Sequence, residues 1–148
     1  MRARYLPVLL GMLTMGAVLA ADPTDEAAKK ELKLLAGNWK ATSLEKDGQA
    51  APKEIVERFT MRIEGDKCVF INGDQKTPLT VKAIDPASKP KTLDLAQEKD
   101  GKTEVTKYIY ELDGDTLKLC RSFKDPGQRP EKFTSENGQA VGILKREK

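Results

Sequence analysis

The side chains able to do chemistry in this chain are defined first by one that is missing. There is no histidine, so the group that most often moves protons near neutral pH is absent. Ser–His and Cys–His nucleophiles cannot form. A Ser–Lys pair is conceivable, but Ser43, Ser88, Ser122 and Ser135 lie in strand or loop contexts without the strand-to-helix elbow that exposes a strained nucleophile. Two cysteines, Cys68 and Cys120, cannot close a zinc site without histidine. Asn72-Gly73-Asp74 and Asp113-Gly114-Asp115 superficially resemble calcium loops, yet neither continues into the spaced oxygen ligands and closing glutamate of such a site. Hairpin turns account for both. A glycosidase would need two carboxylates facing one cleft, and Asp94, Glu104 and Glu111 fall outward or at strand ends. The expectation is a protein with no catalytic residues, no metal and no cofactor. An enzyme built only from Lys, Asp, Glu, Tyr or Arg would instead betray itself by a cleft holding a strongly shifted lysine or carboxylate.

Binding chemistry remains, carried by Arg121, Tyr108, Tyr110 and Trp39, and its direction depends on the elements that hold these residues. Residues 21–36 read as a helix. Pro23-Thr24-Asp25 is a start signal, Ala28, Leu32, Leu35 and Ala36 follow at helical spacing, and Gly37 stops it. Such a helix could plug one end of a barrel or dock loosely as a leader. Strand-like runs follow at Trp39–Leu44, Arg58–Glu64, Lys67–Asn72, Leu79–Ile84, Thr92–Gln97, Thr103–Leu112, Thr116–Ser122, Lys132–Thr134 and Ala140–Arg146. Ala51–Val56, containing Pro52, predicts one short helical turn. Asp85–Lys91 and Lys124–Pro130, each with two prolines, predict loops.

Three dipeptides set the register. Gly65-Asp66 and Gly114-Asp115 suit type II′ hairpin turns, and Asp100-Gly101 suits type I′. Counting outward from them, Leu93 opposes Tyr108, Leu95 opposes Thr106, Tyr110 opposes Leu119 and Leu112 opposes Leu117. Leu93, Leu95, Tyr108, Tyr110, Leu112, Leu117 and Leu119 therefore share one face. Asp94, Lys107, Glu111 and Lys118 share the other, together with the exceptional Ile109. A slip of one residue would bury the charges. Around Gly65-Asp66, Cys68 joins Met61 and Phe70 on the apolar face, whereas Cys120 opposes Ile109 on the outer one. A disulfide needs Cβ atoms about 4 Å apart, so the two thiols are expected to stay unpaired. Outward Ile109 and Cys120 would offer at most a small dimer patch, and a monomer is the expected state.

Arg121 continues the inward parity of Leu117 and Leu119. It could meet an anionic head group at a barrel mouth, snorkel to solvent, or stack on Trp39. Trp39 itself reads as core, closing the bottom of a barrel with its indole N–H satisfied. The tyrosine hydroxyls must find water, backbone or a ligand.

The first residues read as an export signal: Arg2 and Arg4, an uncharged apolar run from Leu6 to Leu19, and small residues for cleavage after Ala20 or Ala21. That run is too short for a comfortable membrane span, and no transmembrane segment is expected in the mature chain. Without residues 1–20 the chain carries 24 basic and 23 acidic side chains, interspersed. Nothing in that pattern favours nucleic acid.

Several segments carry a family likeness. Leu35-Ala36-Gly37-Asn38-Trp39-Lys40 resembles the opening strand of calycin barrels such as lipocalins, and Leu144-Lys145-Arg146 resembles the basic closing strand that packs across that tryptophan. Gly37-Asn38-Trp39 with Asp47-Gly48, the stretch Tyr110–Cys120, Arg129-Pro130 before Phe133, and Ile143–Glu147 are together similar to a lipocalin-like domain. That domain is abundant as paralogues in planctomycete bacteria, and its function is not established. Cys68 departs from the plain aromatic or aliphatic residue expected there. The resemblance implies an exported or cell-surface barrel with Gly37, Trp39 and Arg146 in structural roles, and it brings no catalytic residues.

The combined expectation is a signal peptide over 1–20, a helix over 21–36, and an all-β, antiparallel meander barrel of about eight strands over 37–148. Its candidate ligand-lining residues are Leu93, Leu95, Tyr108, Tyr110, Leu117, Leu119 and Arg121. The expected partner is a small, partly apolar molecule. The alternative is a solid-cored module that binds a protein through loops 85–91 or 124–130.

Overall fold

Backbone angles at the hairpins match the turn chemistry. Gly65 and Gly114 lead their turns at φ +58° and +57°, while Asp100 and Gly101 are both left-handed at +53° and +75°, as types II′ and I′ require. These turns belong to a computed structural model that describes residues 25–148. The predicted signal peptide and the first residues of the predicted helix lie outside the described residues.

The chain runs α1 (Glu26–Leu35), β1 (Gly37–Lys46), β2 (Gln49–Ala50), α2 (Lys53–Arg58), β3 (Phe59–Glu64), β4 (Lys67–Asn72), β5 (Gln75–Asp85), β6 (Lys91–Lys99), β7 (Lys102–Asp113), β8 (Thr116–Ser122) and β9 (Gln139–Arg146). Each long strand pairs antiparallel with the next, and β9 returns to pair with β1. Eight strands thus close into a meander barrel, and β2 adds only a short hairpin to the end of β1. This architecture is compatible with a lipocalin-like fold. No helix among the described residues is long and apolar enough to cross a membrane.

The predicted pairs recur in the ladders: Leu93 opposite Tyr108, Tyr110 opposite Leu119, Leu112 opposite Leu117, and Ile63 opposite Cys68. Two bulges, at Thr42 and Lys82, then shift the alternation. Beyond them Leu44 and Ile84 pack with the core, because one extra residue swaps every later side chain to the other face.

The expected strand at Lys132–Thr134 does not form. A closed barrel has no free edge for it, since β8 already lies between β7 and β9. Residues 123–138 instead cross the outside of the wall. The Cys120 thiol donates to the carbonyls of Lys132 and Thr134, both at 3.6 Å, and Gln139 Nε2 donates to the same carbonyls at 3.1 Å. Arg129 pins the segment by donating to the Tyr108 carbonyl at 2.8 Å and pairing with Asp94 at 2.6 Å. Under this cover Ile109 and Cys120 are fully buried, which removes the exposed dimer patch. Both cysteines are unpaired thiols.

One end of the barrel is shut by α1. Asp25 caps the helix, accepting from the Ala27 amide at 2.9 Å, and Ala28, Glu31, Leu32 and Leu35 form its buried face. Helix C-termini leave carbonyls without partners, and here the barrel supplies them. Trp39 Nε1 donates to Leu35 O at 2.8 Å. Arg146 donates to Leu34 O at 2.7 Å and to Ala36 O, stacks 4.3 Å from the Trp39 ring centre, and meets Asp115 at 3.3 Å. A Cβ on Gly37 would stand 3.0 Å from the Arg146 guanidinium, and its φ of +130° is a glycine conformation. Lysine at 146 cannot reproduce this fork of donors. We expect Arg146→Lys to cost about 2–4 kcal/mol in urea unfolding and to speed amide exchange in α1; an unchanged midpoint would refute the role given to Arg146.

Candidate functional site

The two halves of the barrel differ. The half under α1 is packed solid with Trp39, Met61, Ile63, Cys68, Leu93, Leu95, Tyr110 and Leu117, each nearly inaccessible. Its one polar cluster is satisfied internally. Tyr110 donates its hydroxyl to Glu31 at 2.9 Å, and Lys91 Nζ pairs with the same carboxylate oxygen at 3.0 Å.

The opposite half opens into a cavity of about 410 Å³, a size typical of small-molecule sites. Its apolar wall comes from Leu44, Phe59, Phe70, Leu79, Leu119 and Leu144, and its polar groups from Thr77, Gln97, Thr106, Tyr108 and Arg121. Glu45, Lys46 and Gln49 form part of the rim. Glu45 accepts from the Ser135 hydroxyl at 3.2 Å, and Lys46 lies over the Phe123 ring at 4.2 Å.

β9 explains why the space exists. Its inward residues become small toward the mouth, running Leu144, Gly142, Ala140 opposite Leu117, Leu119 and Arg121 of β8. A Cβ on Gly142 would stand 3.2 Å from Leu44 Cδ2, inside the lining. On the far side, the β5–β6 ladder ends at Thr80 and Ala96, so Gln75–Leu79 and Gln97–Lys99 splay apart at the mouth. Pro78 sits in that stretch, still opposite Val69 of β4 but with no β6 partner on its other side, an edge-like position that tolerates a residue without an N–H. Leu79 there faces both the cavity and an outer hollow.

Of the seven side chains expected to line a ligand site, Tyr108, Leu119 and Arg121 line this cavity. Leu93, Leu95, Tyr110 and Leu117 belong to the packed half. Arg121 does not stack on Trp39, a position Arg146 holds. Other contributors went unanticipated as a site, among them Phe59, Phe70, Gly142 and Leu44. Phe59 and Phe70 were already on the inward face by the Gly65-Asp66 count. Gly142, an isolated glycine within a strand, is itself a signal of close approach. Leu44 was hidden by the Thr42 bulge, which has no sequence signature here. At the closed end, buried Glu31 was legible in its helical spacing with Ala28 and Leu35.

Burial pushes the Cys68 thiol from 9.0 up to about 12. It also raises the Tyr108 hydroxyl from 10.0 to about 12, with Arg121 pulling it back and Cys68 adding to the rise. Tyr110 is raised too, by burial first and then by its hydrogen bond to Glu31.

The chain matches no protein-family model, no curated protein and no solved structure.

These groups favour their neutral forms when folded, so their contribution is complete below the unfolded-state values and is lost as pH climbs toward the folded ones. Stability should fall from about pH 9 upward, with Cys68 alone accounting for about 2 kcal/mol at pH 10.5. Urea midpoints from pH 7 to 10.5 check this. Cys68→Ala should have a shallower alkaline slope than wild type, and parallel slopes would contradict the assignment.

Proposed function

We propose that the protein is an exported, non-catalytic binding module that holds a small, partly apolar molecule in the open half of its barrel. The observation that carries this reading is the cavity of about 410 Å³, whose apolar wall is built from leucine and phenylalanine, in an otherwise solid barrel. Barrels of eight strands are of a size to fill their interior or to hold one small ligand. Burying apolar ligand area would supply most of the affinity, at about 25 cal/mol per Å² before the costs of association. Rigid strands supply nearly every lining residue, so the site is preformed and little ordering opposes binding.

The reading of export rests on the N-terminal residues, with Arg2 and Arg4 before an uncharged apolar run and a small-residue cleavage site. The lipocalin-like resemblance, including its planctomycete form, agrees with a barrel of this kind and supplies no ligand. Mature protein working as a monomer is part of the same proposal.

A neutral apolar fluorophore, N-phenyl-1-naphthylamine, should bind saturably at one site per chain. Gly142→Leu, which puts a side chain into the cavity beside Leu44, should weaken that binding about tenfold or more, a loss of at least 1.4 kcal/mol, with unchanged circular dichroism. Equal binding by the variant would place the probe elsewhere and end the reading.

A further inference from the structure

Resting on that reading, we propose that the ligand is an amphipathic anion whose single acidic head group, a carboxylate or a phosphate monoester, is seated on Arg121 and the Tyr108 hydroxyl. Three arginines among the described residues are partly buried: Arg121, Arg129 and Arg146. Arg129 is paired with Asp94, and Arg146 with Asp115 and two helix carbonyls. Arg121, among the described residues, has neither an ion pair nor a hydrogen bond to protein. It nevertheless lines a largely apolar cavity, where a cation is costly unless it is paired or hydrated.

Its surroundings define what would pair with it. The cross-strand neighbours of Arg121 are Tyr108 on β7 and Ala140 on β9. Ala140 leaves room on one side, and Tyr108 offers a hydroxyl on the other. That hydroxyl makes no hydrogen bond among the described residues, where no fully buried side-chain nitrogen or oxygen lacks a partner, so it opens onto the cavity it lines and is accessible to a ligand. Burial keeps its proton in place well above neutral pH, so it can donate to an anion. The guanidinium fork matches the planar geometry of an oxyanion. The one carboxylate in the lining, Glu45, is held at the rim by Ser135 and makes no ion pair with Arg121. An acidic group on the β7–β8 wall would leave the rest of the ligand against Phe59, Phe70 and Leu79 across the cavity.

Calorimetric titration with decanoate, decyl phosphate and decanol tests this, because the three share one apolar chain and differ in charge. Wild type should bind at least one anion about ten- to a hundredfold more tightly than the alcohol, the usual worth of a charge-assisted hydrogen bond. Which anion is preferred separates a carboxylate ligand from a phosphate one. Arg121→Gln should erase that preference, and Tyr108→Phe should reduce it. The comparison within wild type stands even if a variant fails to fold. Equal affinity for anions and alcohol would overturn the anion seat while leaving the apolar site intact. Failure of all three ligands, together with the neutral fluorophore, would overturn both.

Discussion

Closure of the barrel depends on Arg146. It is the last residue of β9, the strand that must return to β1, and it pairs there with Trp39 in the ladder and in the ring stack. The same guanidinium takes up carbonyls at the end of α1, and the Trp39 indole takes up another. Four requirements meet at this point: joining first strand to last, sealing the bottom, ending the helix and satisfying its carbonyls. A helix end buried without partners would be costly. The glycine at 37 follows from this arrangement, since a side chain there would collide with the arginine.

Because the bottom is sealed by a helix, the inward side chains nearest it can pack to completion. The wall that carries Tyr108 and Arg121 is then braced from outside. Arg129 holds the backbone carbonyl of Tyr108 while pairing with Asp94 two strands from Arg121. The crossing segment also buries Ile109 and Cys120. It gives this part of the wall a second, outer core, so that the inner face can be left unfilled without leaving the strands thinly supported. A cavity removes packing contacts from its lining, and a wall covered on its other side is better able to bear that loss.

Much of this was legible in residue order. Gly65-Asp66, Asp100-Gly101 and Gly114-Asp115 are turn dipeptides with strict geometric demands, and register follows from them by counting. The faces of Tyr108, Tyr110, Leu119 and Cys68 were therefore readable. The depth of each residue along the barrel axis was not, because alternation gives the face of a strand and says nothing about which end is plugged. Leu93, Leu95, Tyr110 and Leu117 were assigned correctly to the interior and are filled by the packing beneath α1. The bulges at Thr42 and Lys82 carry no glycine or proline to announce them. Lys132–Thr134 has strand-like composition, but closure of the sheet leaves it no partner, and tertiary context overrides propensity.

Sequences that specify one structure usually obey their own pattern throughout, and departures tend to collect where function demands them. The inward positions of β8 run Leu117, Leu119, Arg121, and those of β9 opposite them run Leu144, Gly142, Ala140. A third leucine at 121 and a branched aliphatic residue at 142 would continue the pattern and fill the space. Instead the chain places a charge on one strand and withdraws bulk from the next. Both changes act against packing, and they lie on adjacent strands of a single wall. Neither serves the closed end, whose satisfaction is already complete through Arg146 and Glu31. Their coincidence marks the β8–β9 wall as the place where this barrel gives up core packing and leaves its interior open.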